Sequence, residues 1–320
     1  MTLPFHLVLA FAASASPSWA PTMQALPPTA LRTLGQLLRG MKRIAISEGA
    51  ATSLSPPHER VLAAAEGVAP PGTADGLIPW AAADAVRAGH PPGSAWAVIT
   101  PCHWAMGREH ATLTDPAGLA LTADESQTLR EAMQPYFATE GITLHEAAPG
   151  RWLAEGAVWR DLPTASLDRV LGRNVDGWLP DTGTAGSLRR LQNEMQMLLY
   201  THPLNDARQA GGQRSVNSFW ISGSGALAQL PSANATVSAP RHLAQAVFAD
   251  DWPGYAAAWA ALDAGPLTQL LARQNAGEVV RLTLCGESHA QTFESVKTSL
   301  FSQIKSLFSP VSTYSLLEQL

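Results

Sequence analysis

The sequence predicts an α/β fold, a mixed sheet with flanking helices. Three observations point there. Short apolar runs of strand length, such as residues 96–100 (WAVIT), alternate with segments of helical period. Hydrophobic residues make up 46% of the 320-residue chain and charged residues 15%, so apolar material for a core is ample and charge is too sparse for a disordered tail. No apolar run reaches the roughly 18 residues of a membrane-spanning helix, so these segments are expected in a protein core and not in a membrane.

The first element is a buried strand over residues 5–11. Residues 7–15 followed by Ser18-Trp19-Ala20 also look like the apolar region and cleavage site of a secretory signal. A signal carries basic residues ahead of its apolar region, and here the first basic residue is Arg32. A cytoplasmic location is therefore the expectation, with secretion the alternative. Two cysteines, Cys102 and Cys285, make no disulfide framework, which fits a reducing compartment.

Residues 29–38 place Leu31, Leu34, Leu37 and Leu38 on one helical face. Ser55-Pro56-Pro57 reads as a helix start, with Ser55 as cap, running to about Glu66. Residues 67–76 are a Pro/Gly-rich connection. An alanine-rich helix over residues 81–88 stops at Gly89. The WAVIT strand follows, ending at Pro101, with residues 110–113 as its partner. Thr122 and Glu125 form a capping box that opens a helix through Phe137. Residues 142–146 and 152–154 are strands joined at Pro149-Gly150. Residues 187–201 form the strongest helix, with Leu188, Leu191, Met195, Leu198 and Leu199 as its stripe and Pro203 as its end. A strand over 216–221 runs into Gly223-Ser224-Gly225. Helices over 242–248 and 254–262, a strand over 279–284, and a C-terminal helix marked by Val296, Leu300, Ile304 and Leu307 complete the expectation.

Four clusters carry possible chemistry. His103, His110 and Asp115 stand at the ends of hairpin strands, where they serve as an acid/base or ligand set, or as hydrogen-bonded loop ends. His202, Asn205, Arg208 and Asn217 combine imidazole, amide and guanidinium near Gly211-Gly212, suited to a phosphate or carboxylate; the alternative is a loop whose amides cap backbone groups. Gly223-Ser224-Gly225 lacks the following helix of a dinucleotide site, since Pro231 intervenes. Cys285, Glu287 and His289 follow the 279–284 strand. Glu287 and His289 are weak metal candidates, and Cys285 reads as a buried core residue.

Residues 191–225 resemble a segment of the archaeal-type cofactor-independent phosphoglycerate mutases, of the alkaline-phosphatase type. That segment reads H-P-[VL]-N-x-x-R…G…N…W…G-x-G. The matching residues are His202, Pro203, Asn205, Arg208, Asn217, Trp220, Gly223 and Gly225. Over most of its length the chain also resembles the shorter bacterial RpfE-type proteins, described as regulatory or mutase-like. The resemblance implies one mutase-like unit over 1–320, with a lobe at about 96–155 similar to the mutase substrate domain. The departures are chemical. The first strand continues as Ala10-Phe11-Ala12-Ala13, where the family has an Asp-Gly metal ligand. Pro116 and Leu119 replace two phosphate-gripping arginines, and Gly286-Glu287-Ser288 faces a G-D-H motif.

The expectation is a degenerate relative with no cofactor. It binds a small anionic metabolite or a protein partner in a regulatory role. The alternatives are an active mutase using Mn or Zn and a non-catalytic interaction scaffold. The net charge of −5 and the absence of a basic stripe exclude nucleic acid as the main partner.

Overall fold

A computed structural model describes residues 3–27, 29–180, 185–296 and 313–320. Leu300, Ile304 and Leu307 of the expected C-terminal helix lie outside the described residues. The chain forms two compact units: Met1–Thr52, Pro56–Gly67 and Ser232–Leu320 in the first, Ser53–Ser55 and Val68–Pro231 in the second. Elements are numbered along the whole chain.

The first unit is a five-stranded mixed sheet. It contains β1 (Phe5–Leu9), β2 (Met41–Glu48), β9 (Thr236–Ser238), β10 (Val280–Cys285) and β11 (His289–Ser295), in the order β2-β11-β10-β1-β9. β1 lies between β10 and β9, parallel to both, while β11 is antiparallel to β10 and to β2. A strand with parallel neighbours on both sides is buried on both faces, which explains the unbroken apolar run Leu7-Val8-Leu9. The buried first strand is thus as expected. β2, β9 and β11 were not expected. β2 is exposed along most of its length, so its sequence lacks the buried alternation that marks a strand.

The helices of this unit are α1 (Trp19–Gln24), α2 (Arg32–Arg39), α3 (Pro57–Ala65), α9 (His242–Phe248), α10 (Trp252–Leu262), α11 (Thr268–Asn275) and α12 (Thr313–Leu317). A π turn over Asp263–Leu267 joins α10 to α11 and accommodates Pro266 within the helix. The buried Asp263 carboxylate accepts from the Thr33 and Leu34 N–H groups, both at 3.0 Å. It caps α2 from another helix, because the residue at the cap position is Leu31, which has no acceptor. Ser55 does not cap α3; Pro56 holds that position, and the Ser55 hydroxyl accepts from Gly76 N–H within the second unit.

The second unit is an antiparallel sheet in the order β6-β7-β3-β8. Its strands are β3 (Ala95–Cys102), β6 (Thr143–Ala148), β7 (Arg151–Glu155) and β8 (Ser218–Ala226). β3 is buried throughout. Its Ala95, Ala97 and Ile99 face the core under α5 (Ala123–Thr139) and α7 (Ala185–Tyr200), while Trp96 and Val98 face α4 (Trp80–Arg87). The strand continues past Pro101 because β7 pairs only as far as Ile99; beyond it, Pro101 needs no donor on that side.

The residues expected to pair with WAVIT instead form β5 (Ala111–Leu113), which pairs with β4 (Trp104–Met106) as a separate hairpin. The capping box at Thr122 and Glu125 is present. A short α6 (Leu167–Val170) precedes the loop to α7. Pro203 ends α7 and also opens α8 (Pro203–Ala210), because a proline at the first helical position needs no N–H partner.

Candidate functional site

The His202–Asn217 segment is built around the α7–α8 corner. His202 caps α8, its Nδ1 accepting from Leu204 N–H at 3.2 Å. Asn205 is buried. Its amide donates to Leu199 O and Val216 O at 2.7 Å each and accepts from Val216 N–H at 2.9 Å. It ties the end of α7 to the approach of β8. Arg208 is 1% exposed. Its guanidinium donates to Glu125 Oε1 (2.7 Å), Leu119 O (2.6 Å) and Arg214 O (2.9 Å). Burial pushes the Glu125 carboxyl up, but the Thr122 backbone N–H and Arg208 outweigh it and hold the group below its ordinary value. These side chains bond the chain's own backbone groups and, at Arg208, the Glu125 carboxylate.

Asn217 completes the edge of β4. Its side-chain oxygen accepts from Trp104 N–H at 2.7 Å and its amide donates to Trp104 O at 2.9 Å. His103 donates from Nδ1 to Ser215 O at 2.9 Å. His110 and Asp115 are exposed, and Asp115 caps a short turn through Ala117 N–H. His103, His110 and Asp115 do not converge into a metal-binding group, and neither do Glu287 and His289 with any third ligand among the described residues.

Glu287 lies in the first unit, after β10. Its Oε1 accepts from the Ser14 hydroxyl (2.8 Å) and Ala15 N–H (2.9 Å). The stretch Ala10–Ala13 offers no side-chain ligand. This donor set does not fit the metal centre implied by the resemblance. Phe11 holds a left-handed backbone (φ 56°), fixed by Tyr255 Oη against the Phe11 and Ala12 carbonyls. Cys285 is fully buried, and burial pushes its thiol up, so it supplies no ready thiolate.

Gly223 and Gly225 are packing residues. Both have positive φ, and a Cβ on either would lie within 3 Å of Trp80 or Pro79 at the start of α4. Ser224 between them is buried against Thr164. The glycines let a helix approach a strand; they cradle no phosphate.

A cleft of about 600 Å³ opens in the second unit, between β4, α7 and α8. Asn205 and Asn217 reach its wall. Its apolar surface comes from Trp104, Met106, Leu199, Met197 and Tyr200. Met106, Met197 and Tyr200 are 79%, 69% and 81% exposed. Residue spacing does not mark these last three, although one signal exists: Met197 and Tyr200 sit at i, i+3 off the buried stripe of α7, an apolar pair on a polar face.

No family model matches this chain, and no curated protein matches it. Among solved structures, it is similar to the PH0037 protein from Pyrococcus horikoshii, with a TM-score of 0.47 and 12% identity over 95% of this chain and 93% of that one. It is also similar to the cofactor-independent phosphoglycerate mutase from Thermoplasma acidophilum, with a TM-score of 0.37 and 13% identity over 100% and 99%. Likenesses this distant fix neither an activity nor a ligand.

Proposed function

We propose that this chain is a non-catalytic, mutase-like binding protein with a regulatory role. Its binding surface is the β4–α7–α8 cleft, and its occupant is a small anionic metabolite or a protein partner. One observation carries the reading. The groups that resemble a mutase phosphate grip, Asn205 and Arg208 above all, are engaged by Leu199, Val216, Leu119 and Glu125, while the cleft beside them stays open. Glu287, which the resemblance sets against a metal motif, holds the Ser14–Ala15 turn, and this supports a structural role for that residue. The buried, unbridged Cys102 and Cys285 support a cytoplasmic setting.

The test is metal analysis of the purified protein with a mutase assay on 3-phosphoglycerate. The expected result is no stoichiometric Mn or Zn and no turnover. Stoichiometric metal together with turnover that a chelator abolishes would overturn the reading.

A further inference from the structure

We infer that the cleft takes a short extended segment of a partner polypeptide, with an apolar side chain beside a Lys or Arg; this rests on the binding reading above. The first argument is backbone geometry. In the β4–β5 hairpin, Gly107 N–H donates to His110 O and Thr114 N–H to His103 O. With Ala105 opposite Thr112, the bonded rungs are 103/114, 105/112 and 107/110. Trp104 and Met106 therefore turn their N–H and C=O groups away from β5. At Trp104 the Asn217 amide fills both positions and stands in for a third strand. At Met106 neither group has a partner among the described residues. A free strand rung at the mouth of an apolar cleft is what strand addition uses.

The side chains agree. Met106, Met197 and Tyr200 are more than two-thirds exposed, so a metabolite held within the cleft leaves their outer ends in water. A polypeptide crossing the rim covers them, and the two methionines adapt to its shape. Among the described residues, Asp206 is the one charged side chain on the cleft wall, with no Lys or Arg there. It favours a cation and opposes a phosphate or carboxylate. Gln196 and Gln209, on facing helices, have no side-chain hydrogen bond among the described residues and are free to meet peptide groups.

The test is selection from a phage-displayed library of linear peptides on the full-length protein, with fluorescence anisotropy of the synthesised winners. Expected winners pair an aliphatic or aromatic residue with Lys or Arg. Met197→Glu and Tyr200→Glu each weaken them at least tenfold while leaving the melting temperature in place, and Asp206→Asn weakens them and reduces their salt sensitivity. N-methylating one peptide amide, which removes a rung without touching any side chain, also weakens binding. Three results overturn the inference: no enrichment over the naive library, acidic winners, or winners indifferent to Met197→Glu. A melting shift by 3-phosphoglycerate that Met197→Glu removes would sink the polypeptide and leave the binding reading standing. Metal-dependent turnover would sink the reading itself.

Discussion

Replacing Arg208 with Met removes a buried cation of nearly the same length. Arg208 is 1% exposed and serves three acceptors from three places in the second unit, Glu125, Leu119 O and Arg214 O. Breaking a buried pair from one side costs about 3–5 kcal/mol. Glu125 keeps some solvent, at 16% side-chain exposure, and retains the Thr122 N–H, which discounts the ionic part. The Leu119 carbonyl loses its guanidinium donor inside the fold, which adds about 1–3 kcal/mol. A total near 4 kcal/mol is expected. Guanidinium unfolding followed by tryptophan fluorescence measures it, since seven of the ten tryptophans lie in the second unit. The pH dependence has a definite sign. Glu125 titrates below its ordinary 4.5, so its contribution is complete above that value and fades as pH falls through the folded value. The gap between wild type and Arg208→Met should therefore narrow in acid. A variant within about 1 kcal/mol of wild type that no longer binds ligand would refute the reasoning and return Arg208 to the ligand site.

Three further outcomes are expected. Asp263→Ala uncaps α2 and should cost about 1–2 kcal/mol in thermal or denaturant unfolding; a neutral result would mean water replaces the carboxylate. Gly223→Ala forces a Cβ to 2.9 Å from the Trp80 Cβ at a positive φ and should cost about 2–4 kcal/mol, whereas Gly172→Ala, also at a positive φ (70° against 61°) but in open space, should cost about 1 kcal/mol; equal costs would refute the packing role. His6 is held neutral, its pKa brought from 6.5 to about 4 by burial and by Arg281. Its contribution is whole above pH 6.5 and lost as pH falls toward 4, at most about 3 kcal/mol, and His6→Gln should flatten that stretch of the stability curve.

The elements read correctly are those whose burial has a period. Thr122–Phe137 carries a capping box and a regular stripe, and Leu7–Leu9 an unbroken apolar run, so each announces itself locally. β2 and β11 failed that test for a physical reason. β2 is an edge strand with both faces wet, and its pairing with residues 289–295 is information held some 240 residues away. The pairing of β5 was misplaced for a related reason: WAVIT and residues 110–113 are both strand-like, and pattern alone does not say that the Trp104–Met106 stretch between them takes the second as its partner.

The site posed a harder problem, because the chemistry that binds an anion is the chemistry that satisfies a backbone. An amide such as Asn205 offers the same donors to a phosphate oxygen as to the carbonyls of Leu199 and Val216, and a guanidinium such as Arg208 fits Glu125 as well as it fits a ligand carboxylate. Residue type and spacing leave the choice open. Local supply decides it: α7 ends at Tyr200, and the Asn205 amide from the next helix donates to Leu199 O in its last turn, while Arg208 is taken up by Glu125 and the Leu119 and Arg214 carbonyls. At this corner, the groups the described residues leave unanswered are the Met106 rung, two glutamines and an apolar rim on the polar side of α7. The H-P-x-N-x-x-R residues therefore build the scaffold of the corner, and the binding surface proposed above lies one helix face away, among residues that the pattern does not contain.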